Sequence, residues 1–149
     1  MNILLLGDIM GPSGKKVVTK QLPNIIKKKK IDFVIANGEN AADTGFGLTE
    51  KDFQQIINAG ADVVTTGNHV WDEKETMNFI SSEKRLLRPE NLPTGSPGNG
   101  FGIFNSKNNK KVAVINLMGN VHMKRCEDVF QTAKKIVNKI ELKKDADFI

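Results

Sequence analysis

A single cysteine, Cys126, leaves no intramolecular disulfide and no cysteine-rich zinc site open to this chain of 149 residues. Long apolar runs are missing too: nothing approaches the roughly 20 residues of a membrane-spanning helix. The first residues, MNILLLGD, are too short and too soon acidic for a signal peptide. A cytoplasmic protein with no membrane function is therefore expected. Arginine is scarce and no aromatic residues interleave with the lysines, so the net charge of +5 is a weak nucleic-acid signal. The lysines gather in 25–30, 106–111 and 134–144, which read as a helix end, a polar loop and the wet face of a helix. RNA is the less favoured partner. A hydrophobic content of 39% suffices for one ordinary core, and one domain over 1–149 is expected.

What is present alternates strand and helix. Ile3 to Leu6, Asp32 to Ala36 and Ala61 to Thr65 are short continuous apolar runs, the kind that parallel sheets bury on both faces. A helix beginning near Ser13, with Pro23 restarting or kinking it, joins the first two. LTEKDFQQIINAG joins the second and third, with Thr49 as N-cap, Asp52 three residues on and Gly60 as the stop. Asp72 to Ile80 reads as a further helix. Phe101 to Phe104 and Val112 to Asn116 read as an antiparallel pair, and Glu127 to Leu142 as an amphipathic helix. RPENLPTGSPGNG, with three prolines and three glycines, reads as an ordered loop.

Each of the first three strands ends in the same manner. The first runs into Gly7-Asp8, the second into Gly38-Glu39-Asn40, the third into Gly67-Asn68-His69. In an open parallel sheet these endings share the carboxyl edge, where α/β proteins bind ligands. Carboxylate and amide oxygens with one imidazole suit hard or borderline divalent cations, namely Mn, Fe, Mg or Zn. Each residue also has a plainer use. Asp8 can cap the next helix, Glu39 can pair with a lysine, and Asn40 and Asn68 can satisfy turn backbone. GDIMGPSGKK is no P-loop, since Ile9 stands where glycine is needed and Lys16 where serine or threonine is needed.

Together GDIMGPSG, VIANGENAADTGFGLT, GADVVTTGNHVWD, RPENLPTGSPGNGFGIF and VAVINLMGNVHM resemble the YmdB-like metallophosphoesterases, 2′,3′-cyclic-nucleotide 2′-phosphodiesterases. The resemblance implies an α/β calcineurin-like metallophosphoesterase sandwich, of which this chain is the N-terminal portion, with two divalent metal ions, often iron. It implies Asp8, Glu39, Asn40 and Asn68 as metal ligands, with Glu39 bridging, and His69 as the proton donor beside the scissile phosphate. A cyclic nucleotide or another phosphodiester is the implied substrate. The resemblance runs through RPENLPTGSPGNG and implies a place for that loop near the active crevice. The family's later histidine ligands, in FHAE-like and THTHV-like segments, do not occur here, and DADFI reads as the opening of the next central strand. His122 reads as a surface or packing residue. An open sheet edge after Ile149 favours self-association, so a homo-oligomer is expected. The alternative is a catalytically inactive regulatory or RNA-binding module on the same fold.

Overall fold

A computed structural model describes residues 1–123 and 126–149 of the chain. Four parallel strands, β1 (Ile3–Leu6), β2 (Phe33–Asn37), β3 (Val63–Thr65) and β4 (Leu86–Leu87), form a sheet in that spatial order. The crossovers are α1 (Gly11–Lys29), α2 (Glu50–Asn58) and the short α3 (Thr76–Phe79). Because the strands advance always in one direction, same-handed crossovers put all three helices on one face. Val34, Ala36, Val64 and Leu86 meet them there, against Leu22, Phe53, Ile56 and Phe79.

The other face is left for a second sheet. The antiparallel hairpin β5 (Phe101–Asn105) and β6 (Lys111–Ile115) supplies it, packing Val112, Val114 and Phe104 on Phe33, Val63 and Leu87. The outer face of the hairpin carries Ala113 onto Ile136 and Ile140, which belong to α4 (Val129–Val137) and the turn after it. The layers are helices, parallel sheet, hairpin, helix. β1 is only partly covered: Ile3 and Leu5, in register with Phe33 and Ile35 and so on the hairpin-facing side, are 42% and 72% exposed.

Several expected boundaries move. α1 starts at Gly11 and runs through Pro23 as one 19-residue helix, because Leu22 is buried in the core and Ile26 packs on it, so tertiary contact outweighs the missing hydrogen bond. The helix expected over 72–80 shrinks to four residues. Its first half is committed to loop contacts instead: Asp72 to His69, the Glu73 carboxylate to the Thr44 hydroxyl, and Glu75 to the backbone of Glu50. The helix expected over 127–142 is Val129–Val137, capped by Asp128 and ended by turns through Ile140. Its apolar stripe is wider than the face it buries, since Phe130 is 80% exposed. β4 has no counterpart among the expected strands, being two residues between charged neighbours and Pro89. Phe148 reaches β6 as a single parallel bridge to Val112, where a strand is expected. His122 is exposed, as expected.

One tie across the helical layer rests on buried charge. The Lys15 ammonium of α1 meets the Asp52 carboxylate of α2, with side chains only 9% and 6% exposed, and also Asp43 at 2.6 Å. Thr49 caps α2 by accepting from the Asp52 N–H, and its hydroxyl donates to the same carboxylate at 2.6 Å. Burial works to lower the Lys15 pKa, but the two aspartates outweigh it and raise the group above its ordinary 10.5. The hydrogen bond from Lys15 holds Asp43 below its ordinary 3.8. The raised lysine stabilises the fold below pH 10.5 and loses that effect as pH rises through its folded value; the depressed aspartate stabilises above 3.8 and loses it as pH falls through its folded value. Lys15→Met strands the Asp52 carboxylate in the interior and should cost about 3 kcal/mol, seen as a fall in Tm of roughly 6–12 °C. Lys15→Met with Asp52→Leu should recover most of it. A single variant that melts like the parent would show the pair to be idle.

Candidate functional site

The three glycine-led endings do meet at the carboxyl edge of the parallel sheet. Backbone bonds carry the ladder past the strands themselves, from the N–H of Ile9 to the carbonyl of Asn37 at 3.0 Å and from that of Gly38 to Thr65 at 2.9 Å. The N–H of Glu39 donates to the Asn37 side chain at 2.9 Å, a local turn that sets the start of the Glu39-Asn40 pair. From there the Asn40 amide donates to Asp8 Oδ2 at 2.8 Å, joining the first two endings. The N–H of His69 donates to Glu39 Oε1 at 3.2 Å, joining the second and third. Gly67 leaves room here: a Cβ at that position would push the Glu39 carboxylate from where it stands.

The plainer uses of these residues are mostly absent. α1 is preceded by Met10 with no side-chain cap, so Asp8 does not cap it. Glu39 forms no lysine pair among the described residues. The Asn40 side chain goes to Asp8 rather than to turn backbone, and its Oδ1 is buried with no hydrogen-bond partner among the described residues. A buried amide oxygen without a donor is costly, of order 1–3 kcal/mol, unless something electropositive faces it. Asn68 lies half-buried between Gly67 and His69, and its side chain has no hydrogen bond among the described residues.

His69 is oriented from one side. Its Nδ1 lies 2.6 Å from Asp72 Oδ2, with the two side chains 30% and 38% exposed, and its Nε2 has no partner among the described residues. The ring of Phe46 stands 4.8 Å from the imidazole, centroid to centroid, tilted by 47°. Neither contact is among the expectations from sequence. The Asp72 contact has a faint local signal, three residues after His69 in NHVWD; the Phe46 contact has none, because it closes a loop of more than twenty residues. Asp43 is held by Lys15 and Asp72 by His69, so neither is a free carboxylate waiting beside Asp8 and Glu39.

The donor set suits a hard divalent cation, and the unpartnered Asn40 oxygen is the feature that fits it best. The set is also small. Among the described residues no group of three or more His, Cys, Asp and Glu side chains is placed to hold a metal. The loop 88–100 is ordered, as expected: Asn91 is fully buried and its amide donates to the carbonyls of Met118 and Glu127. Its stem adjoins the crevice, since the Asn116 amide donates to the carbonyls of Thr66 and Leu87, but Thr94 and Gly95 line a hollow with Thr132 and Lys135 of α4.

Comparison with known proteins bears on the family and the fold. Residues 4–149 match the model of a family described as YmdB-like protein. The chain is 43% identical over 137 residues to the 2′,3′-cyclic-nucleotide 2′-phosphodiesterase of Bacillus subtilis (strain 168), covering 92% of this chain and 51% of that protein. Among solved structures, a hypothetical protein from Thermus thermophilus superposes with a TM-score of 0.87 at 34% identity, over 95% of this chain and 54% of that one. A novel phosphatase from Mycoplasma pneumoniae superposes with a TM-score of 0.85 at 29% identity, over 99% and 53%. The chain spans about half the length of each of these relatives. The fold is that of the matching portion of a calcineurin-like metallophosphoesterase sandwich, as the sequence led us to expect.

Proposed function

The chain belongs to the YmdB-like protein family, and from that premise we propose that its crevice serves a phosphoric diester hydrolase acting on 2′,3′-cyclic nucleotides. The observation that carries this reading is the meeting of Asp8, Glu39, Asn40 and His69 at one sheet edge, with the Asn40 oxygen buried and unpartnered among the described residues. Asp8, Glu39, Asn40 and Asn68 would hold divalent metal, two ions and most simply iron, with Mn, Mg or Zn as substitutes. Metal bound there supplies positive charge to the phosphate oxygens and acidifies a water for attack.

The remaining work falls to side chains of this chain. Asn40, by donating to one Asp8 oxygen, leaves the other free to bind, and Gly67 gives the Glu39 carboxylate room that any side chain would take. Opening the cyclic ester at the 2′ position adds a water oxygen to phosphorus and breaks the bond to O2′, which leaves needing a proton. His69 Nε2 is the donor for that step, with Asp72 holding the ring by its other nitrogen. Asp72 thus positions His69 rather than touching substrate.

Two negative charges, from Asp8 and Glu39, are few against two divalent ions. We therefore place the remaining ligands in a C-terminal part of the domain beyond Ile149. The exposed Ile3 and Leu5 support a further layer over β1, supplied by that part or by a second copy of the chain. Turnover of adenosine 2′,3′-cyclic phosphate should require added metal and should be far greater when the C-terminal part is supplied. RNA binding that falls steeply with salt and ignores Glu39→Gln, without any turnover, would favour the non-catalytic module instead.

A further inference from the structure

Phe46 is an odd residue to leave in water: its side chain is 53% exposed, yet its loop is closely held. Gly45 and Gly47 flank it with φ of +84° and +81°, values that favour glycine, and a Cβ on Gly47 would press on Glu73 at 3.0 Å. Thr44 completes the hold, its hydroxyl within hydrogen-bonding distance of the Phe46 carbonyl at 3.1 Å and of Glu73 at 3.2 Å. Two positive-φ glycines and a carboxylate contact thus fix an aromatic ring that no core covers. Single exposed aromatics are ordinary on protein surfaces. Phe130 is one, 80% exposed on α4. Phe46 differs because its ring lies 4.8 Å from the imidazole of His69.

We infer that Phe46 is the stacking surface for the nucleobase of the substrate, and so the residue that makes this site prefer nucleotides to other phosphodiesters. The inference rests on the reading of His69 as the group that protonates O2′. In a nucleotide the base and O2′ sit on adjacent ribose carbons. A side chain that reaches O2′ therefore has the base nitrogen only three bonds from its target, and a ring standing beside that side chain is where the base arrives. Every base presents a flat π face, so stacking confers affinity for nucleotides in general without choosing among them. Packing Phe46 merely to steady His69 would duplicate what Asp72 already does at Nδ1.

The test compares two phosphates that differ only in the base, binding to the whole chain with excess Mn²⁺ by equilibrium dialysis. Adenosine 3′-monophosphate is the hydrolysis product with its base and free O2′; methyl β-ribofuranoside 3-phosphate lacks the base. The nucleotide should bind about tenfold more tightly, as one stacked base is worth. Phe46→Ala should erase the difference by weakening the nucleotide alone, Phe46→Leu should do nearly the same, and Phe46→Trp should keep it. Equal affinity of the parent chain for the two phosphates, or an equal loss on both in Phe46→Ala, overturns the inference and leaves the phosphodiesterase reading standing. Binding of Mn²⁺ with no affinity for either phosphate overturns both.

Discussion

In a form of the protein that carries the C-terminal part, Glu39→Gln should lower metal affinity by about 100-fold or more, while leaving the melting temperature near that of the parent. Ligands that merely orient others cost 10–100-fold when removed, so a direct charged ligand should cost at least as much. The substitution is close to isosteric, and the glutamine carbonyl can still accept the His69 N–H, so the turn survives while the charge does not. Asp8→Asn should act in the same direction. Gly67→Ala offers an independent route to the same result, since it alters no charge and only pushes a methyl group into the Glu39 carboxylate. Metal content of the purified variants, with competition titrations of Mn²⁺ and Fe²⁺, gives the answer. The parent chain of 149 residues should hold at most one ion, weakly, because Asp8 and Glu39 bring only two charges. Undiminished metal in both Glu39→Gln and Gly67→Ala would remove Glu39 from the ligand set.

The parts of the molecule legible in advance are those in which neighbours along the chain determine the outcome. Ile3–Leu6, Phe33–Asn37 and Val63–Thr65 are apolar enough to be buried on both faces, and they occur with helix-length spacers that dictate parallel pairing. Thr49 and Asp52 announce the start of α2, and Gly60, with φ of +114°, its end. The crevice was legible for a related reason: where a strand ends is local, and parallel pairing puts all the ends at one edge. What escaped depends on distant partners. Leu86–Leu87 is a strand only because β3 lies beside it. Lys15 looks in sequence like one basic residue in a run, and its burial follows from where Asp43 and Asp52 happen to come. Asp72 looks like the first residue of a helix, yet its carboxylate turns to His69, and the helix starts only at Thr76.

That last contact shapes the effect expected at the imidazole. In a metal-loaded form that turns over a cyclic nucleotide, His69→Ala should lower kcat by roughly 100-fold or more, within the 10²–10⁴ range of general-acid catalysis, with metal content nearly unchanged. The two readouts separate the alternatives: a proton donor leaves the ions in place, whereas a ligand takes them with it. Asp72→Asn keeps the shape of the Nδ1 partner but removes its charge, so it should lose part of the rate and leave KM close to the parent's. The choice of leaving group provides a further check. A substrate whose leaving group is p-nitrophenolate needs no proton to depart, so His69→Ala should slow it far less than it slows the cyclic ester, whose departing ribose oxygen is strongly basic. An equal loss on both substrates would assign His69 to binding the phosphate rather than to protonating the leaving oxygen, and loss of metal in His69→Ala to the extent seen in Glu39→Gln would make it a ligand.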